Sequence, residues 1–190
     1  FHIYTVDAQT LEVLRNMRWM SLGKSEERFP LASKLINKLP KLEILYISGL
    51  YHDIGKGRGT DHSNLGKSIV KSFCKRHLFP DEDTLLIEWL VENHLLMSVT
   101  SQKKDLSNNS VVKEFAEKVG NLETLNYLYC LTVADVSATN PGYIKINNEI
   151  IAYDSIGSGE LSIATNGRAT DSTITELHDK DAIVYKYELN

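Results

Sequence analysis

The sequence is short of cysteine, of unbroken apolar stretches and of charge of one sign. Its two cysteines, Cys74 and Cys130, lie far apart and form no Cys-x-x-Cys pair. That excludes a disulfide scaffold and argues for reduced, buried thiols. No apolar run approaches the roughly 20 residues that a bilayer-spanning helix requires. Nothing at the start reads as a signal peptide, so the expected compartment is the cytoplasm, with no membrane association. A net charge of −4 supplies no general affinity for nucleic acid. The chain opens on Phe1 rather than Met, which reads as a piece of something longer.

What is present is an ordinary globular composition. The 190 residues are 42% hydrophobic and 24% charged, enough for one ample domain, or one domain and a small appendage. The character of the chain changes near Asn140-Pro141. Residues 1–141 carry 17 Lys/Arg against 17 Asp/Glu, with 21 Leu and 7 Ile; residues 142–190 carry 4 against 8, with 3 Leu and 8 Ile. A neutral, leucine-rich segment suits helices and an Ile/Tyr/Thr-rich one suits strands.

Periodicity predicts successive helices in the first segment. Thr5 is the expected N-cap of a helix carrying Leu11, Val13, Leu14 and Met17. A second helix follows Pro30 and ends before Pro40. The run from Leu42 to Leu50 is apolar on most sides and reads as a central buried helix. Further helices are expected from about Ser63 to His77, from Asp81 to about Met97, from an Asn109 or Ser110 cap to Gly120, and from Leu122 to Ala138. In the second segment, Tyr143–Ile146 and Glu149–Tyr153 flank the turn-prone Asn147-Asn148. Leu161–Ile163 and Ala182–Tyr185 read as two more strands, with Gly157-Ser158-Gly159 as a turn.

His52-Asp53 closes the buried helix, and an imidazole beside a carboxylate suits a divalent ion that activates water. An isolated His-Asp dipeptide is more often structural. Here, however, His62 opens a helix ten residues on, His94 closes another, and Asp135 lies among Leu131, Val133 and Val136, where a carboxylate needs a partner. Together the set resembles that of the HD superfamily of metal-dependent phosphohydrolases, whose order is His, then His-Asp, then Asp, with extra histidines between.

Longer stretches sharpen this. Phe1-His2-Ile3-Tyr4-Thr5-Val6-Asp7, the segment from Tyr51-His52-Asp53 to Lys56-Gly57-Arg58-Gly59, Asp61-His62-Ser63, Trp89 to Thr100 and Thr132-Val133-Ala134-Asp135 resemble the HD domain of the bifunctional PII uridylyltransferase/uridylyl-removing family. The resemblance covers residues 1–141. It implies an HD-superfamily helical domain over 1–141; with the small β-rich appendage that alternation gives over 142–190, which fits a fusion better than a natural domain, the expected fold is mainly α. It implies hydrolysis of a uridylyl phosphodiester on uridylylated PII, releasing UMP, with a divalent metal (Mn²⁺ or Mg²⁺, or Fe). The implied ligands are His52, Asp53 and Asp135, with His62 and His94 completing the site or holding a second ion. Lys56 and Arg58 stand where cations could face the phosphodiester.

The chain departs from that pattern at its start, where the family's Asp-Glu-His-Thr is Asp7-Ala8-Gln9-Thr10. The first histidine ligand is therefore replaced by Gln9, whose neutral amide oxygen is the weaker ligand. His2, about 10 Å further along a helix, does not fill its place. The family's nucleotidyltransferase and ACT domains are not in these residues, so no uridylylation is expected. The tail loosely resembles short β-modules of phage tail and baseplate proteins. Two rival readings follow: an impaired HD domain that binds a nucleotide or partner, and a structural or assembly protein acting through residues 142–190. His77 and His178 read as a helix-end and a loop residue, and Lys103-Lys104 as a solvated pair.

Overall fold

The computed structural model describes residues 5–58 and 62–139, and the strand segments 142–146, 149–156, 161–163 and 184–187. The chain divides into two compact units, Phe1–Thr139 and Asn140–Asn190. Among the described residues the first is helical throughout: α1 (Val6–Ser21), α2 (Pro30–Ile36), α3 (Leu42–Tyr51), α4 (His62–Arg76), α5 (Asp81–Asn93), α6 (Leu96–Lys103), α7 (Asn109–Val119) and α8 (Leu122–Thr139). None of these is long and apolar enough to cross a membrane.

The packing follows from stripes of apolar residues at helical spacing. In α1, Val13, Met17 and Met20 are fully buried, as are Tyr127, Leu128, Leu131 and Ala134 of α8. The two helices lie against each other, and α3 packs on α1, α5 and α8. Tyr127 ties the start of α3 to α8: its hydroxyl donates to the Lys41 carbonyl (2.9 Å) and accepts the Lys41 N–H (3.0 Å). Gly49 lets α3 approach α1 closely, since a Cβ there would lie 2.6 Å from Met17 Cε. Lys67–Glu92 (2.8 Å) and Lys71–Glu88 (3.1 Å) link α4 to α5.

Two helix boundaries differ from expectation. The helix expected to run from Asp81 to Met97 is two, broken at His94-Leu95, because the His94 ring takes the Val91 carbonyl (2.8 Å) at the end of α5. The cap of α7 is Asn108 rather than Asn109 or Ser110; its side chain accepts the Ser110 N–H. Thr5 occupies the N-cap position of α1 without a capping bond from its side chain. Gly120, at φ 81°, ends α7 as expected.

In the second unit, β1 (Gly142–Ile146), β2 (Glu149–Ile156), β3 (Leu161–Ile163) and β4 (Val184–Tyr187) form one antiparallel sheet in the order β3-β2-β1-β4. Ile144 pairs with Ile151 across β1 and β2, and with Lys186 across β1 and β4. The expected turns at Asn147-Asn148 and Gly157–Gly159 lie outside the described residues.

Both cysteines are buried free thiols. Burial raises the Cys74 thiol and pushes that of Cys130 up to about 12. At pH 8 the thiolate fraction of Cys130 is then of order one in ten thousand, and only the thiolate reacts. Ellman's reagent is expected to find almost no thiol in the folded protein and two equivalents after unfolding. Rapid titration of both in the native state would contradict this.

Candidate metal centre

Five helices deliver polar side chains to one place inside the helical unit. His52 is the C-cap of α3 and Asp53 follows it; His94 is the C-cap of α5. Each histidine uses Nδ1–H on its own helix end: His52 donates to the Gly49 carbonyl (2.7 Å), His94 to that of Val91 (2.8 Å). A carbonyl only accepts, so the proton is on Nδ1, and in the neutral ring Nε2 carries a lone pair. Both Nε2 atoms are buried without a hydrogen-bond partner, an arrangement that asks for a further ligand.

Asp53 lies at the centre, its side chain only 6% exposed. Its Oδ1 is 3.6 Å from His94 Nε2 and 3.7 Å from His62 Nε2, the latter on the first residue of α4. Its Oδ2 accepts from Lys56 Nζ (2.9 Å) and is 3.6 Å from His52 Nε2. Asp135, on α8, brings Oδ1 to 3.4 Å from His52 Nε2 and accepts from Gln9 Nε2 at 3.0 Å. The donor atoms of Asp53, His62 and His94 all lie within 4.8 Å of one another. That spacing and the N/O chemistry fit a divalent ion.

The electrostatics are those of a carboxylate cluster compensated by imidazoles. Burial alone would raise the Asp53 carboxyl, but His94, His52 and Lys56 hold it well below the usual carboxylate range. Burial alone would lower His52, and the Asp135 and Asp53 carboxylates more than offset it, so its value is raised. Two helix C-termini, those of α3 and α5, add partial negative charge where a cation would sit.

His52, Asp53, His62, His94, Asp135 and Gln9 are thus brought together from α1, α3, α4, α5, α8 and the turn after α3. Lys56 joins them through Asp53. Arg58 stands exposed in that turn, its backbone N–H donating to the Gly55 carbonyl (3.4 Å). His77 instead stacks on Phe73 (4.3 Å between centroids), and Lys104 pairs with Glu114 at 3.3 Å. His2 and His178 lie outside the described residues.

One positioning residue escaped the sequence reading. A Cβ on Gly55 would lie 2.5 Å from the His62 carbonyl oxygen, a backbone atom that cannot rotate aside. The only prior signal was a glycine two residues after the His-Asp pair. Gly55→Ala is expected to displace the start of α4, lowering stability by about 1–3 kcal/mol through overpacking and weakening Mn²⁺ binding. Unchanged melting temperature and unchanged Mn²⁺ affinity would remove this role.

Comparison with known proteins points the same way. The family model of the HD domain matches residues 10–140. Curated bifunctional uridylyltransferase/uridylyl-removing enzymes are similar over 141 residues: 60% identity for Azotobacter vinelandii strain DJ, 58% for Stutzerimonas stutzeri A1501 and 55% for Pseudomonas aeruginosa UCBPP-PA14. Each match covers 74% of this chain and 16% of the relative, so the chain spans a small part of those proteins' length.

Proposed function

The chain belongs to the HD-domain family, and from that premise we propose that it is a metal-dependent phosphodiester hydrolase removing the uridylyl group from nitrogen regulatory protein PII. The observation that carries this is the convergence of His52, His62 and His94 on the two oxygens of the buried Asp53. The similarity to uridylyl-removing enzymes supports the substrate.

A divalent ion held by this cluster (Mn²⁺ or Mg²⁺, or Fe) would lower the pKa of a bound water and polarise the phosphoryl oxygen. The chain's own part is to orient. The Nδ1–H bonds of His52 and His94 fix both rings, and Asp53 offers one oxygen to each side. Lys56, 28% exposed and bound to Asp53, and the exposed Arg58 supply positive charge for the phosphodiester. Water adds to phosphorus, the bond to the PII oxygen breaks, that oxygen takes a proton, and UMP leaves. The compartment that goes with this substrate is the cytoplasm.

The test is release of UMP from uridylylated PII by the Mn²⁺-loaded protein. Measurable UMP that disappears with chelator supports the reading. No UMP from folded, metal-loaded protein would reject it, leaving the impaired binding module that Gln9 favours. The division into an HD domain over residues 1–141 and an appendage over 142–190 is part of the same proposal. A truncation at Pro141 is expected to keep helical circular dichroism and a cooperative melt; loss of cooperativity would show the tail to be integral.

A further inference from the structure

The helix that opens on His62 carries a second surface, which leads away from the metal centre. Gly66, Val70 and Cys74 form the buried face of α4. Along one flank, Lys67 and Lys71 are paired with Glu92 and Glu88 of α5. Along the other, His62 is followed by Leu65, Ile69, Ser72 and Arg76 at i+3, i+7, i+10 and i+14, the spacing of a single helix face. Leu65 and Ile69 are half-buried, and among the described residues they stand outside the core that Phe73 of the same helix joins. A solvated apolar strip off the core is surface that a partner can still cover.

A groove and two cations mark its far end. The groove is open, holds about 640 Å³ and is lined by Ser68, Ile69, Ser72, Lys75 and Arg76. Lys75 and Arg76 are exposed, and among the described residues neither makes an ion pair, unlike the two lysines of the opposite flank. The near end is His62, 31% exposed, with Nε2 at 3.7 Å from Asp53 Oδ1. From His62 to Arg76 is about 21 Å at 1.5 Å per residue, which an extended chain covers in roughly six residues. A segment lying on this face therefore reaches the centre at one end and the cations at the other.

We propose that this face of α4 docks the protein that carries the phosphodiester. The fitting segment is extended, with apolar side chains against Leu65 and Ile69 and carboxylates against Lys75 and Arg76. The inference rests on the hydrolase reading above and adds to it: a small diester needs the centre alone, a protein substrate needs the face as well. Two unpaired cations are too few to hold a nucleic acid, whose binding draws on many phosphate contacts. They suit the rim of a protein interface, where charge speeds encounter.

Two variants of the full chain test it: the charge reversal Lys75→Glu with Arg76→Glu, and Ile69→Asp in the strip. Binding of uridylylated PII to the metal-stripped protein, read by surface plasmon resonance, is expected to weaken about tenfold in each. The charge reversal should act mainly on association and lose its effect in high salt. With Mn²⁺ loaded, KM for UMP release should rise by the same factor while kcat stays within about twofold. Hydrolysis of bis(p-nitrophenyl) phosphate, which has no protein part, should be unchanged in both variants. Unchanged affinity and KM in both would overturn the docking face and leave the hydrolase reading standing. An equal loss on the small diester would overturn it too, since the effect would then run through the metal centre or the fold. No binding of uridylylated PII and no UMP from the folded, metal-loaded wild type would overturn the reading of the substrate, and the inference with it.

Discussion

Replacing Asp53 by alanine is expected to abolish divalent-ion binding. Each carboxylate oxygen of Asp53 serves a different set of partners: Oδ1 faces His62 and His94, Oδ2 faces His52 and Lys56. Its loss removes the carboxylate that both sets share, and leaves Asp135 as the carboxylate beside His52. Mn²⁺ retained after dialysis and measured by inductively coupled plasma analysis should fall from about one per chain to background, a loss beyond the 10–100-fold typical of supporting residues. Equal metal in the two proteins would reject the site.

The folded protein without metal should suffer as well. Removing one member of a buried charge cluster strands its partners, at about 3–5 kcal/mol for a fully buried pair. Lys56 is partly exposed and solvent screens it, so about 1–3 kcal/mol is expected here. The isosteric Asp53→Asn isolates the charge. Because the Asp53 carboxyl is held below its ordinary value of 3.8, its stabilising charge is fully present above that value. The contribution is lost as the pH falls through it toward the lower folded value. The melting-temperature gap between wild type and Asp53→Asn should therefore narrow below that pH; a gap that widens in acid would show the attribution to be wrong.

Replacing Gln9 by histidine is expected to have the second large effect, and in the opposite direction. Gln9 is buried, and its amide donates to Asp135 across 126 residues of sequence. An imidazole there offers a lone pair in place of that donor and would join His52, Asp53 and Asp135 as a further ligand. Mn²⁺ affinity and UMP release should rise about 10–100-fold, or roughly 1.4–2.7 kcal/mol at 1.36 kcal/mol per tenfold. Isothermal titration of both proteins, with UMP release measured side by side, reads both. If neither changes, Gln9 does not limit the site.

How much of this was legible beforehand differs by residue. His52-Asp53 stood out because the pair ends an apolar helix, and Asp135 because a carboxylate among Leu131, Val133 and Val136 needs a partner. His62 and His94 stood out through their places at helix ends, and the resemblance then gave them a role. The split at His94-Leu95 was hidden because Asp81 to Met97 is continuous in helical pattern; a side chain taking a main-chain carbonyl ends the helix there. Gly55 was invisible for a similar reason. Its requirement comes from the His62 carbonyl, seven residues away, and not from its own φ.

By itself the sequence determined the helical unit and the residue types of the site. Apolar spacing dictates which faces are buried, and a histidine or carboxylate inside such a face must find a partner. Only the tertiary structure decided which partner. Hydrogen bonds and ion coordination depend on separations of a few ångströms between atoms far apart in the chain. Gln9 meeting Asp135, and Lys56 taking one oxygen of Asp53 while His62 and His94 face the other, follow from how α1, α3, α4, α5 and α8 pack. Side-chain chemistry supplies the ligands, and helix packing sets which of them remain free to bind.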